Sequence, residues 1–204
     1  MLRKKLTTKL FRGVYQYKIV LVCSGSGFFR NKEFSAIIDE LNSSNTIPHR
    51  SSSIKTLADK IYAISLASEL SKMADIDLRV ESPWISVYSN NKKDVEKLAK
   101  LDASRVKYIC EPAGNNLTSD TIIMPKINYD FRVTLGKTTQ PNPAFIEWAD
   151  KSTKCKLTKS CIRDLQKPRS WGGTHFYITG DNNLLLAKMH LGSSISKIER
   201  ILKA

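Results

Sequence analysis

The sequence predicts an α+β fold: a mixed or antiparallel sheet with helices packed on it. Three observations point there. Short β-branched runs with twofold alternation recur along the chain, and apolar residues at helical spacing fill the stretches between them. The order is strand, helices, hairpin, helix, strands, helices, strand, helices, which is not the regular alternation of a doubly wound sheet. At 204 residues, 41% hydrophobic and 25% charged, the chain has the composition of a globular protein able to bury a core.

Residues 1–14 form a basic N-terminal arm, and residues 15–204 a single domain. "YQYKIVLVC" (15–23) alternates and then turns continuously apolar, the pattern of a central strand. "SGSGFFRN" ends it. "KEFSAIIDEL" (32–41) spaces Phe34, Ile37, Ile38 and Leu41 as a helix. A polar loop (42–53) follows, then a long helix from Ile54 with Leu57, Ile61, Ile64 and Leu70 on its inner side. "DLRVESPWISVYSN" (77–90) reads as a hairpin about Ser82 and Pro83. Asn90 or Asn91 caps the helix "KKDVEKLAKL", whose Val95, Leu98 and Leu101 face inward. "RVKYICE" (105–111) is a strand. "TIIMPKINYDFRVTLG" (121–136) is two strands, or one kinked at Pro125, because proline cannot donate to a ladder. "NPAFIEWADK" and "LTKSCIRDLQK" are helices, "THFYITG" (174–180) is a strand, and "DNNLLLAKMHLG" is a helix. The last segment, "SSISKIERILKA", reads as a helix too, with Ile195, Ile198 and Leu202 three and four apart and Ser196 and Glu199 in capping-box spacing.

There is a faint internal echo. "DLRV" (77–80) is matched by "DFRV" (130–133), and "ISVYSNNKKDVEKLAKLDAS" (85–104) by "FYITGDNNLLLAKMHLGSS" (176–194). Similar secondary structure alone can produce such an echo. If it is a duplication, the sub-units are 77–111 and 130–204, two β-β-α half units that pair into one ferredoxin-like or RRM-like sheet, the second with an insertion at 137–173.

Charge narrows the function. Lys and Arg number 33 against 19 Asp and Glu, a net +14. Such a balance attracts polyanions, nucleic acid above all. The longest apolar run, Ile19 to Cys23, is too short to span a bilayer, so no membrane is expected. Cys23, Cys110, Cys155 and Cys161 form no C-x-x-C pair; they imply buried thiols and an intracellular, reducing compartment. No cofactor motif is present.

The main candidate site is "KLTKSCIRDLQKPRSWGG" (156–173). On a helix, Lys159, Arg163 and Lys167 at i, i+4 and i+8 make one cationic stripe, with Leu157, Cys161 and Leu165 on another face. Arg169 and Trp171 follow on a Gly-Gly hinge, where the indole can stack on a base. The plainer reading is a solvated helix face and a Trp folded into the core. A second candidate is the turn Gly25-Ser26-Gly27, with Arg30 for phosphate and Phe28 or Phe29 for stacking, against a plain turn with both Phe residues in the core. A third is the arm, where Lys4, Lys5 and Arg12 would dock on nucleic acid, start a targeting segment or meet an acidic partner. Asp75 and Asp77 would share a strand face and hold a divalent ion if the chain were a metal-dependent nuclease or nucleotidyl transferase. His175, beside the basic loop, is a candidate general base, and His49 and His190 show no ligand spacing.

The expected function is a nucleic-acid-binding protein of low sequence specificity, for DNA or RNA, with phosphate contacts and some stacking. It would be a viral or phage accessory protein or a ribonucleoprotein component. The rivals are a structural subunit of a virion or nucleoprotein assembly and the metal-dependent enzyme.

Overall fold

The computed structural model describes residues 2–31, 33–43, 54, 56–167 and 171–203. The fold is α+β, with two mixed five-stranded sheets. Where one domain was expected over 15–204, the chain divides into two compact units, Met1–Asn115 and Asn116–Ala204.

Unit 1 contains β1 (Lys4–Thr7), β2 (Tyr17–Val22), a 3-10 helix (Ser26–Asn31), α1 (Phe34–Ser43), α2 (Leu57–Ser71), β3 (Asp77–Glu81), β4 (Trp84–Ser89), α3 (Lys92–Leu101) and β5 (Val106–Pro112). Its strand order is β1-β5-β2-β4-β3, parallel only between β1 and β5. β2 is central, as its apolar run requires. Residues 4–7 therefore belong to an edge strand and not to a free arm. Ile19, Leu21, Ile85 and Val87 point to one face and meet Leu66, Leu70 and Leu98 from the helices. α2 buries Tyr62, Ala63, Leu66, Ala67 and Leu70, while Leu57 is 71% and Ile61 55% exposed. Of the expected inner side, Leu70 is buried and Ile64 packs against the core, whereas Leu57 and Ile61 face outward, because alanines mark the face where neighbours approach closely. Arg105 ties α2 to the end of α3, reaching Asp59 at 2.8 Å and Asp102 at 3.1 Å.

Unit 2 contains β6 (Thr121–Ile123), β7 (Phe131–Leu135), α4 (Pro143–Lys151), β8 (Cys155–Leu157), α5 (Lys159–Gln166), β9 (His175–Ile178), α6 (Asp181–Leu191) and β10 (Ile195–Leu202). The order β6-β10-β7-β9-β8 repeats that of unit 1 place for place, again with one parallel pair at the β6 edge. Phe145 fills its core, 5.2 Å edge-on to Phe176 and stacked on Trp148 at 5.5 Å.

Each unit thus completes a ferredoxin-like strand–helix–strand–strand–helix–strand sheet by itself, with one added N-terminal strand. The units are not half-sheets that complete each other. The echo between 85–104 and 176–194 does join equivalent places, β4-α3 and β9-α6. "DLRV" and "DFRV" do not, for β3 has its counterpart in β8, and β7 in β2. The last segment is a strand. Ile198 pairs opposite Val133, and a register shift between Ile195 and Lys197 produces the helix-like spacing. The imagined capping residues serve the sheet: Ser196 donates to the Thr134 carbonyl at 3.1 Å, and Lys197 donates to Glu199 at 2.9 Å.

Candidate nucleic-acid interface

α5 begins at Thr158, whose hydroxyl oxygen accepts the Cys161 N–H at 3.2 Å and whose hydroxyl donates to the His175 carbonyl at 2.6 Å. That second bond pins the helix start to β9. Its far end is held by the Asn142 N–H, which donates to the Leu165 carbonyl at 2.9 Å. Cys161 and Leu165 are buried, and Leu157 is half-buried. Burial, then Cys155 and Asp164 nearby, push the Cys161 thiol up to about 12, so it stays a neutral packing group. With the inner face fixed this way, Lys159, Arg163 and Lys167 are all exposed. None of the three has an ion-pair partner among the described residues. Lys159 and Arg163 stand about 6 Å apart along the axis of α5, whereas Lys167, expected as the third member of a helical stripe, is the extended C-cap just past the helix end (φ -127). The hollow behind α5, lined by Ile146, Cys155, Leu157 and Ile162 among others, is about 240 Å³. That is below the ~300 Å³ floor of ordinary ligand pockets.

Trp171 is 70% exposed, so it is not folded into the core. The two glycines after it are an anchor, not a hinge. A Cβ on Gly172 would lie 2.4 Å from the Gly136 carbonyl carbon, and Gly173 holds φ +114 while its N–H donates to the Leu135 carbonyl at 2.7 Å. Leu135 in turn donates to the Thr174 carbonyl at 2.8 Å. The chain beside Trp171 is thereby seated on the end of β7. Arg169 lies outside the described residues.

The other candidates fare differently. Phe29 is fully buried and so not free to stack, Phe28 is partly buried against the same core, and Arg30 is exposed. Gly25 is there for packing, because a Cβ would approach Ile54 to 2.9 Å. Lys4 pairs with Glu111 at 3.0 Å, and Arg12 with Asp77, with its guanidinium over the Tyr88 ring at 4.9 Å. Asp75 lies outside β3 with φ +53, so it does not share a strand face with Asp77. No group of three metal-ligating side chains occurs among the described residues. His175 sits on β9 with Nδ1 3.4 Å from Arg132 and Nε2 3.2 Å from the Tyr177 hydroxyl; His49 is outside the described residues.

Sequence reasoning missed a second cationic surface, on the face of the unit 1 sheet opposite its helices. Trp84, Ser86 and Tyr88 face this side and Ile85 and Val87 the other, as Lys18 and Val20 do against Ile19 and Leu21; Trp84 is exposed and Lys18 half-buried, while Ser86, Tyr88 and Val20 are buried. Tyr108 lies opposite Val20, and Lys5 opposite Cys110. The register shift in β5 sets Lys107 on this face too, its Nζ 3.4 Å above the Trp84 ring. Lys5 stands 3.9 Å above Tyr108, and Lys18 lies 5.4 Å from Tyr88 and 5.7 Å from Tyr108. The alternation Trp84-Ser86-Tyr88 was the available signal, because twofold periodicity shows which residues oppose the core. The chain matches no family model, no curated protein and no solved structure.

Proposed function

We propose that this chain binds nucleic acid through α5 and the segment that follows it, with Lys159, Arg163 and Lys167 on phosphates and Trp171 against a base. One observation carries the reading. An indole is held 70% exposed on an anchored segment that follows three exposed cations with no ion-pair partner among the described residues. A Trp left in water forgoes roughly 2–3 kcal/mol of burial, and a ligand that covers it recovers that energy. The net +14 supports the same partner over a neutral one.

The test is fluorescence anisotropy of labelled DNA and RNA, single-stranded and duplex, titrated with the full chain at several salt concentrations. The expected result is binding whose logarithm falls steeply and linearly with the logarithm of salt. Absence of binding at low salt would refute the proposal. The basic surface would then belong to a subunit that meets its polyanion only within an assembly.

A further inference from the structure

Ammonium groups lie over the rings on the outer face of the unit 1 sheet. Trp84 is 39% exposed, and the Lys107 ammonium rests on its face. Lys5 covers Tyr108 in the same way. Lys5, Lys18 and Lys107 have no ion-pair partner among the described residues, while the acids Asp77 and Glu81 on this face are matched by Arg12 and Arg79. Charge here is left over with one sign, beside aromatic faces. An exposed ammonium–ring contact is worth only ~0.5–1 kcal/mol, so each lysine can leave its ring cheaply for a phosphate. The helices of unit 1 pack on the opposite side of the sheet, where its core lies.

We infer that this face binds a single-stranded nucleic acid: bases stack on Trp84 and Tyr108, and Lys5, Lys18 and Lys107 move from the rings to the backbone phosphates. The inference rests on the proposed function but uses residues of unit 1, none of them on α5. Single strands are the fitting partner because only unpaired bases offer a π-face to a ring, whereas a duplex keeps its base faces stacked inside. The two rings stand on β4 and β5, the strands that flank β2 in the sheet, and Lys18 of β2 lies on the same face.

The experiment titrates a labelled single strand and the corresponding duplex with the full chain, with Trp84→Ala, with Tyr108→Ala, and with Lys159→Ala/Arg163→Ala/Lys167→Ala. Each aromatic substitution is expected to weaken single-strand binding by about 5-fold or more, with duplex binding and salt slope unchanged. Unchanged single-strand affinity in both aromatic variants overturns the inference and leaves the proposed function standing on α5. Failure of the unsubstituted chain to bind any nucleic acid removes both. A second measurement needs no variant: photocrosslinking of a bromouracil-substituted strand to the unsubstituted chain, followed by peptide mapping. Adducts at Trp84 or Tyr108 support the site, and adducts confined to residues 156–173 overturn it.

Discussion

Removing the α5 cations together gives the sharpest test of the phosphate contacts. Lys159→Ala, Arg163→Ala and Lys167→Ala act on exposed side chains with no carboxylate partner among the described residues, so no buried acid is orphaned. Alanine keeps the helix, and Cys161 and Leu165 still hold its inner face. Stability should stay within about 0.5 kcal/mol of the parent, as for ordinary surface substitutions. Each phosphate neutralised contributes ~0.7 to the log–log salt slope on a single strand and ~0.9 on a duplex, so three lost contacts flatten it by about 2.1 or 2.7. Across a fourfold rise in salt the parent would lose affinity roughly 18-fold more than the variant on a single strand, and about 40-fold more on a duplex. Anisotropy titrations at four or more salt concentrations read this directly. The control removes the same charge elsewhere: Lys93→Ala, Lys97→Ala and Lys100→Ala on the exposed side of α3. If the two triple variants have equal slopes, net charge alone drives binding and α5 is not the contact. A slope equal to the parent's in the α5 variant would refute the assignment outright.

Three further outcomes follow from the packing. Gly172→Ala places a methyl group 2.4 Å from backbone carbon and should cost ~1–3 kcal/mol in a urea titration while shifting Trp171 emission; parent-like values in both would unseat the anchor. Phe145→Ala empties a fully buried site between Trp148 and Phe176 and should cost about 3–5 kcal/mol by the same titration; a loss under about 1 kcal/mol would mean that the unit 2 core is packed otherwise. The third outcome concerns pH. Burial raises the thiols of Cys23 to about 11 and of Cys155 and Cys161 to about 12, so above pH 9 the unfolded chain loses protons that the folded chain keeps. Stability should therefore be level below about pH 8 and fall as pH climbs from 9 toward 12, by up to ~1.4 kcal/mol per unit per thiol. Urea midpoints that stay flat from pH 8 to 10.5 would contradict that burial.

The helix-on-sheet class was legible because periodicity reports which faces are buried, and β7, β9, α3 and α4 all carry a clean period. β10 was not legible. Its register shift sets Ile195, Ile198 and Leu202 at spacings that a helix also uses, and only pairing with β7 distinguishes the two. Strand β1 was hidden for a different reason: as an exposed edge strand of Lys-Lys-Leu-Thr it has no apolar face to advertise, and its pairing with β5 spans a hundred residues of sequence. The placing of Lys159 and Arg163 one turn apart on α5 could be read because i, i+4 spacing is local; the helix end before Lys167 could not. The Trp84–Lys107 and Tyr108–Lys5 contacts could not, since each brings together residues of different strands.

The repeated topology shows where the two units part company, and the differences coincide with the two candidate surfaces. In unit 1, β3 and β4 are joined by Ser82 and Pro83 alone. In unit 2 the equivalent strands β8 and β9 are joined by residues 158–174, which contain α5 and Trp171. The phosphate-binding candidate is thus an insertion on a shared scaffold, in the place where loops tolerate added chemistry. The outer sheet faces diverge in the opposite sense. Where unit 1 sets Val20 opposite Tyr108, unit 2 sets Arg132 opposite Glu199. That buried carboxylate lies 3.7 Å from Arg132 and 2.9 Å from Lys197, and Tyr177 stacks on Tyr129 at 5.9 Å. Arg132 and Lys197 on that face are turned to an internal carboxylate, while Lys5, Lys18 and Lys107 of unit 1 lie against rings with no ion-pair partner among the described residues. If α5 and the unit 1 sheet both contact nucleic acid, combining Trp84→Ala with the α5 triple substitution should reduce affinity by more than either change alone. A combined loss no greater than the larger single loss would mean that only one of the two surfaces touches the ligand.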